Sequence, residues 1–112
     1  MAYDEILEDR VQQILHEKNI PFTKKKMMGG LTFMVDDKMC VGIVKNTLMA
    51  RIDPEKYGEA LGKEGCREMD FTGRPMKGFV LVEPAGIDMD RDLEYWINLA
   101  LDYNPKAKKS RK

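Results

Sequence analysis

The sequence predicts an α+β fold: a two-layer domain in which an antiparallel sheet of about five strands carries helices on one face. Three observations predict it. Apolar residues recur at helical spacing near both ends of the chain, two-residue alternation dominates most of the region between, and the connections are short. The predicted order of elements is α-β(3)-α-β(2)-α.

The first helix is predicted from about Asp4 to Lys18, because its inward positions recur every three or four residues. These positions are Leu7, Val11, Ile14 and Lys18. Asn19 suits the left-handed conformation that often follows a helix, and Pro21 blocks continuation.

Three strands follow, at residues 30–35, 38–45 and 47–52, and Asp36-Asp37 predicts a tight turn between the first two. Alternation assigns three residues of each strand to one face: Leu31, Phe33 and Val35, then Met39, Val41 and Ile43, then Leu48, Ala50 and Ile52. The preceding stretch FTKKKMM suggests a further short strand, whose lysines suit an exposed sheet edge.

A short helix is predicted after Asp53, which is a good N-cap, with Pro54 in the first turn and Gly62 at the end. CREMDF and KGFVLVEP then predict two more strands. The last helix begins near Asp88 or Asp90 and has the clearest amphipathic pattern, which comprises Leu93, Trp96, Ile97, Ala100 and Leu101.

The chain of 112 residues is expected to form one domain, residues 1–104, followed by a basic tail, residues 105–112. The tail carries five cations, which leaves 14 basic against 19 acidic side chains in the domain, a net charge of −5. Its lack of large apolar residues predicts disorder. Five phosphate contacts would give weak, salt-sensitive binding to nucleic acid, and a solvated tail is the alternative.

Cys40 lies within an apolar run and is expected to be a buried, reduced thiol rather than part of a disulfide. No apolar run approaches the roughly 18 residues of a membrane span, and the acidic start is unlike a secretory signal. We therefore expect a cytoplasmic protein.

The stretch GRPMKGFV has the two glycines of a phosphate-binding loop, but Phe79 and Val80 stand where lysine and a hydroxyl residue are required. A turn between strands is the preferred interpretation. Arg74 and Lys77 would then be presented on that turn, where they suit an anion or an acidic partner surface.

Catalytic and metal-binding patterns are poorly represented. DMDRDLE lacks the glycine and the final glutamate of a calcium loop, and His16 is expected to face solvent. The only serine lies in the tail. We expect a protein that is not an enzyme and has no cofactor or metal, with a small-anion binder or enzyme around Arg51, Arg74 and Lys77 as an alternative.

The second face of the sheet is predicted to be apolar as well. Alternation places Met34, Cys40, Val44 and Met49 on it, and Val80 and Val82 are assigned to it too. An apolar face without a covering layer is typical of a binding surface for a partner or a second copy. Arg51 lies on this face beside Met49 by alternation.

Three stretches, MMGGLTFMVDDKMCVG, LMARIDPEKY and MDFTGRPMKGFVLVEP, together with the final amphipathic helix, resemble the N-terminal domain of the TfoX/Sxy family, regulators of bacterial competence. The resemblance runs from about Lys26 to Leu101 and implies the same α+β fold. Competence regulators of this kind carry a second, helical C-terminal domain, and we expect this sequence to comprise the first domain alone.

Ten positions of this sequence match the family's motifs: Met28, Gly29, Gly30, Arg51, Gly73, Arg74, Pro75, Met76, Gly78 and Phe79. Turns and packing explain most of them, but not the charged Arg51 and Arg74. The resemblance implies a regulatory function without a defined chemistry. The preferred hypothesis is therefore a small interaction module that holds a protein partner or its own copy through the second face. A weak nucleic-acid accessory protein using the tail and Lys24–Lys26 is the alternative.

Overall fold

A computed structural model describes residues 4–27, 30–68 and 78–106 of the chain. The elements are α1 (Glu5–Glu17), β1 (Thr23–Met27), β2 (Gly30–Val35), β3 (Lys38–Val44), β4 (Thr47–Arg51), a 3-10 turn (Pro54–Lys56), α2 (Tyr57–Leu61), β5 (Cys66–Glu68), β6 (Phe79–Val82), α3 (Pro84–Ile87), α4 (Asp90–Tyr103) and a second 3-10 turn (Asn104–Lys106). The predicted α+β class is confirmed.

The sheet has six strands in the order β1-β2-β3-β4-β6-β5, and every neighbouring pair is antiparallel. The strand beyond the five expected is the lysine-bearing edge strand suggested by FTKKKMM. The β2–β3 turn is formed by Asp36 and Asp37, whose φ angles of 56° and 62° are those of a type I′ hairpin. The predicted tight turn is confirmed.

The main core lies between the helices and one face of the sheet. The helices contribute Leu7, Val11, Leu15, Ala60, Ile87, Leu93, Trp96, Ile97 and Ala100 to this core. The strands and the residue that follows β4 contribute Leu31, Phe33, Cys40, Val41, Ile43, Leu48, Ala50, Ile52, Val80 and Val82. The helices therefore cover one face, as the sequence predicted.

Helix α1 begins and ends where its sequence predicts. The Asp4 carboxylate accepts hydrogen bonds from the backbone N–H groups of Ile6 and Leu7, and Asn19 adopts the left-handed conformation with φ of 58°. Leu15 is fully buried whereas Ile14 is only half-buried, so the inward stripe is turned slightly from the predicted one. His16 is exposed, as expected.

Arg10 ties α1 to the junction between α3 and α4. Its Nη2 donates hydrogen bonds to the carbonyl oxygens of Ile87 (2.8 Å) and Asp88 (3.2 Å), and it lies 3.1 Å from the Asp90 carboxylate. These carbonyls end a four-residue helix and have no further turn to bond to, so the guanidinium takes the place of the missing donors.

The predicted faces of β3 are wrong at Met39 and Cys40. Phe33 pairs with Val41 whereas Met34 pairs with Met39, so Cys40 is an extra residue on β3, a β-bulge. A bulge reverses the alternation beyond it. Cys40 therefore joins the main core, and Met39 lies on the second face.

The assignment of Val80 and Val82 to the second face is also wrong. Both are fully buried in the main core, and Phe79 and Leu81 take the second face instead. The register fixes this choice, because Val80 pairs with Ala50 and Val82 with Leu48. Val80 and Val82 do alternate with Phe79 and Leu81 as predicted. Which of the two pairs faces the helices, however, depends on the register with the neighbouring strand β4.

The end of α4 is fastened to the β2–β3 hairpin by Lys38 and Asn104. Nζ of the buried Lys38 donates to the carbonyl oxygens of Asn104 (3.1 Å) and Pro105 (3.4 Å). The Asn104 side-chain amide in turn donates to the Val35 carbonyl oxygen at 3.1 Å. A buried ammonium needs such acceptors, because an unsatisfied buried charge is strongly destabilising.

Among the described helices, none has the length and apolar character needed to cross a membrane. Of the predicted tail, Pro105 and Lys106 belong to the last 3-10 turn, while the prediction of disorder for residues 107–112 lies outside the described residues. The predicted turn at residues 73–77 lies outside them too.

Candidate functional site

Arg51 is the last residue of β4 and lies on the second face of the sheet. Its register partner on β6 is Phe79, and its guanidinium carbon lies 5.4 Å from the centroid of the Phe79 ring. This is the geometry of a cation–π contact. Alternation alone predicted the face of Arg51 correctly, but the sequence did not indicate the aromatic partner.

Beside Arg51 lies a second-face cluster formed by Met39, Met49, Phe79 and Leu81. Met49 and Leu81 are only 2% and 5% exposed, whereas Met39 and Phe79 are half-buried and pack against them. The cluster therefore has a closed centre and a partly open end, and Arg51 stands at the open end with Phe79.

The second face is thus less open than its composition suggests. Met34 and Met49, which were expected to be uncovered, are 4% and 2% exposed. Gly42 contributes to this close packing, because a Cβ atom there would lie 2.8 Å from the terminal methyl group of Met49. Among the described residues of this cluster, the accessible side chains are Met39 and Phe79, which form its rim.

Arg74 and Lys77, the other two predicted contact residues, lie outside the described residues. Whether they converge with Arg51 stays a prediction. Within the described part of the chain, the site consists of the Arg51–Phe79 contact and the half-buried Met39.

A second candidate region, missed by the sequence analysis, is the α2–α4 groove. It consists of two cavities of about 390 and 200 Å³ that share Tyr95 in their walls. Lys63 Nζ lies 5.1 Å from the centroid of the Tyr95 ring, and Tyr95 meets Trp96 edge to face at 5.2 Å. Its charged walls are formed by Lys56, Glu59, Lys63, Glu64, Arg91 and Asp92.

Two glycines build the larger cavity of this groove. Gly65, with φ of 79°, packs its backbone directly against Gly86 of α3, since a Cβ atom on Gly65 would lie 2.8 Å from the Gly86 nitrogen. The contact holds the loop with Lys63 and Glu64 beside α4. Glycines this far apart in sequence carry no local signal of the contact, so the groove could not be predicted.

The cysteine thiols are free and protonated at neutral pH. Burial raises the pKa of Cys40 to about 12 and that of Cys66 to about 11. Desolvation, together with the nearby Glu68 and Cys66, also raises the pKa of Tyr57. The expected burial of Cys40 is confirmed, and at these pKa values neither thiol is an activated nucleophile at neutral pH.

Comparison with protein families agrees with the fold and the motifs. The model of the TfoX N-terminal domain matches residues 15–103. The chain belongs to the TfoX N-terminal domain family. No curated protein and no solved structure matches the chain. Within this TfoX N-terminal domain, the matched region includes β4 with Arg51, β6 with Phe79, and both walls of the α2–α4 groove.

Proposed function

We propose that this TfoX N-terminal domain is a non-enzymatic regulatory module that binds a protein partner through the rim of its second sheet face. The observation that carries the proposal is the half-exposed group of Arg51, Phe79 and Met39. Arginine, aromatic residues and methionine are enriched at protein interfaces, and arginine is frequent among residues that dominate binding energy.

The partner surface is expected to present a carboxylate beside an apolar group. The Arg51 guanidinium can donate to a carboxylate while its face remains on the Phe79 ring. The apolar group would cover the exposed parts of Phe79 and Met39. A second copy of the chain at this rim, and a partner that also contacts Arg74, belong to the same proposal.

Nucleic-acid binding is the second candidate, and it rests on the basic tail with Lys25 and Lys26, which are exposed on β1. Lys24 is a poor phosphate contact, since its Nζ already lies 2.7 Å from the Glu8 carboxylate and 2.6 Å from Gln12 Oε1. Fewer phosphate contacts than the sequence predicted would weaken this binding further.

The test begins with affinity capture from nuclease-treated lysate of the source cell, with wild type, Arg51→Ala and Arg67→Ala as baits. Arg67 is the matched control because it is an arginine on the same face, opposite Leu81, but on the edge strand β5 rather than beside Phe79. Any protein retained by wild type and Arg67→Ala, and lost from Arg51→Ala, is then purified and its affinity measured by calorimetry.

We expect Arg51→Ala to weaken binding of the purified partner by about 30-fold, the effect of a residue worth about 2 kcal/mol at an interface. Added salt should weaken the binding only modestly, because one charged contact is screened while the apolar contacts are not. Equal affinities of wild type and Arg51→Ala would refute the proposal. Binding that collapses with added salt and with removal of residues 105–112 would favour nucleic acid instead.

A further inference from the structure

The α2–α4 groove has an aromatic side chain in the walls of both its cavities. Tyr95 lines both cavities and therefore stands between them, and the larger cavity beside it has a volume of about 390 Å³. A two-fold axis places the same patch of both copies face to face. The Tyr95 ring of each copy can then enter the larger cavity of the other.

The charged residues that line the groove are balanced in number. They are three cations, Lys56, Lys63 and Arg91, and three carboxylates, Glu59, Glu64 and Asp92. None of these six side chains forms an ion pair within residues 4–27, 30–68 and 78–106, whose ion pairs all involve other residues. Their charges are available for a partner with the same arrangement.

The neighbouring groove, between α1 and α4, is unsuited to self-association. Its charged lining residues are Arg10, Glu17, Asp90 and Glu94. Arg10 is paired with Asp90, and Lys18 with Glu94, so this groove offers a second copy no matching set of opposite charges. Charge therefore distinguishes the two grooves on the helical layer and favours the one with Tyr95.

An exposed aromatic side chain lies in the α2–α4 groove. Tyr95 is 37% exposed, and Arg91 lines the larger cavity beside it. Aromatic residues and arginine are among the residue types enriched at interface cores. The groove therefore combines both with other charged side chains.

We infer that two copies of this chain associate through the α2–α4 groove as a two-fold symmetric dimer. Tyr95 of each copy fills the larger cavity of the other, and the cations of one copy pair with the carboxylates of the other. The inference is independent of the proposed function, because Arg51 lies on the opposite face of the sheet from the helices.

The test uses two variants of opposite charge. Lys63→Glu/Arg91→Glu makes the groove negative, and Glu59→Lys/Glu64→Lys makes it positive; all four side chains are exposed, so the fold should be preserved. Sedimentation equilibrium measures the mass of each variant alone and of their equimolar mixture. Asp9→Lys/Glu17→Lys, two exposed reversals on α1, is the matched control.

We expect the wild-type mass to rise with concentration from 12.9 kDa towards twice that value. Each groove variant alone should dimerise at least tenfold more weakly, while the mixture should regain dimers and the α1 control should behave as wild type. A monomeric wild type at about 1 mM, a concentration at which even weak complexes form, would overturn the inference. Groove variants that dimerise as strongly as wild type, or a mixture no better than its components, would also overturn it.

Discussion

Replacing Gly86 by alanine tests whether the contact between the Gly65 loop and α3 is as tight as the structure indicates. A Cβ atom on Gly86 would lie 2.4 Å from the Glu64 carbonyl oxygen and 2.7 Å from a methyl group of Val82. The carbonyl cannot move away easily. The adjoining Gly65 already has φ of 79°, and its own carbonyl accepts a 2.8 Å hydrogen bond from the Glu83 N–H.

The expected loss follows from two opposing effects. Overpacking a well-packed site costs about 1–3 kcal/mol, and the clash with backbone favours the upper part of that range. Alanine gains at most about 1 kcal/mol over glycine in a helix, and α3 has only four residues in which to realise it. We expect Gly86→Ala to lower the free energy of unfolding by about 2 kcal/mol, which corresponds to a fall in Tm of about 8 °C.

Gly58→Ala is the matched control. Gly58 is exposed in α2, and a Cβ atom there would meet nothing within 4 Å. The same chemical change should therefore stabilise the protein, by about 0.5–1 kcal/mol. Urea unfolding followed by circular dichroism measures both variants against wild type. A Gly86→Ala variant as stable as wild type would refute the close approach, and equal effects at both positions would show that the environment of Gly86 is unimportant.

Three further predictions concern other parts of the fold. Arg10→Ala should lower the free energy of unfolding, measured in urea, by about 1–2 kcal/mol, because the carbonyl of Ile87 loses a charged donor. Arg10→Lys should recover only part of the loss. Full recovery would contradict the role of the guanidinium fork. Burial raises the pKa of Cys40 from 9.0 to about 12, so the stability present below pH 9 is lost as the pH rises towards 12. The loss should reach about 1 kcal/mol at pH 10. Cys40→Ala should remove that part of the slope between pH 8 and pH 10, and an unchanged slope would contradict the assignment. Lys45 has φ of 57°, a conformation that asparagine tolerates better, so Lys45→Asn should raise the free energy of unfolding by about 0.5 kcal/mol in urea, and a decrease would contradict this.

Local chemistry explains what the sequence could predict. The Asp36-Asp37 turn and the left-handed Asn19 each depend on a few neighbouring residues, and both occur as expected. Arg51 was also placed on the correct face, because no bulge interrupts β4 between it and Met49. Alternation is reliable within an uninterrupted strand.

The wrong assignments of sheet face arise where the face of a residue is determined by pairing with a strand that is distant in the chain. The bulge at Cys40 exists only relative to β2, where Phe33 and Met34 pair with Val41 and Met39. Nothing in the sequence of β3 marks the extra residue. The face of Val80 likewise depends on its register with Ala50.

The candidate sites also differ in whether they depend on residues close in the chain or on packing between distant residues. The sequence placed Arg51, but the neighbouring ring of Phe79 required the β4–β6 pairing. The α2–α4 groove required the contact between Gly65 and Gly86, which neither residue predicts alone. Sites formed by residues close in the chain are visible in a sequence, and sites formed by packing are not.

The link between Lys38 and Asn104 also affects how the chain must fold as it is synthesised. Lys38 leaves the ribosome 66 residues before the carbonyl that accepts its hydrogen bond. At about 5–20 residues per second, the interval is about 3–13 seconds. During this interval the β2–β3 hairpin has been synthesised, but the carbonyl oxygens of Asn104 and Pro105 that accept hydrogen bonds from Lys38 have not. Helix α4, which covers the sheet, is also incomplete. The last turn of the described chain therefore completes the burial of one of its first hairpins, so this domain finishes folding only after Asn104 and Pro105 have emerged.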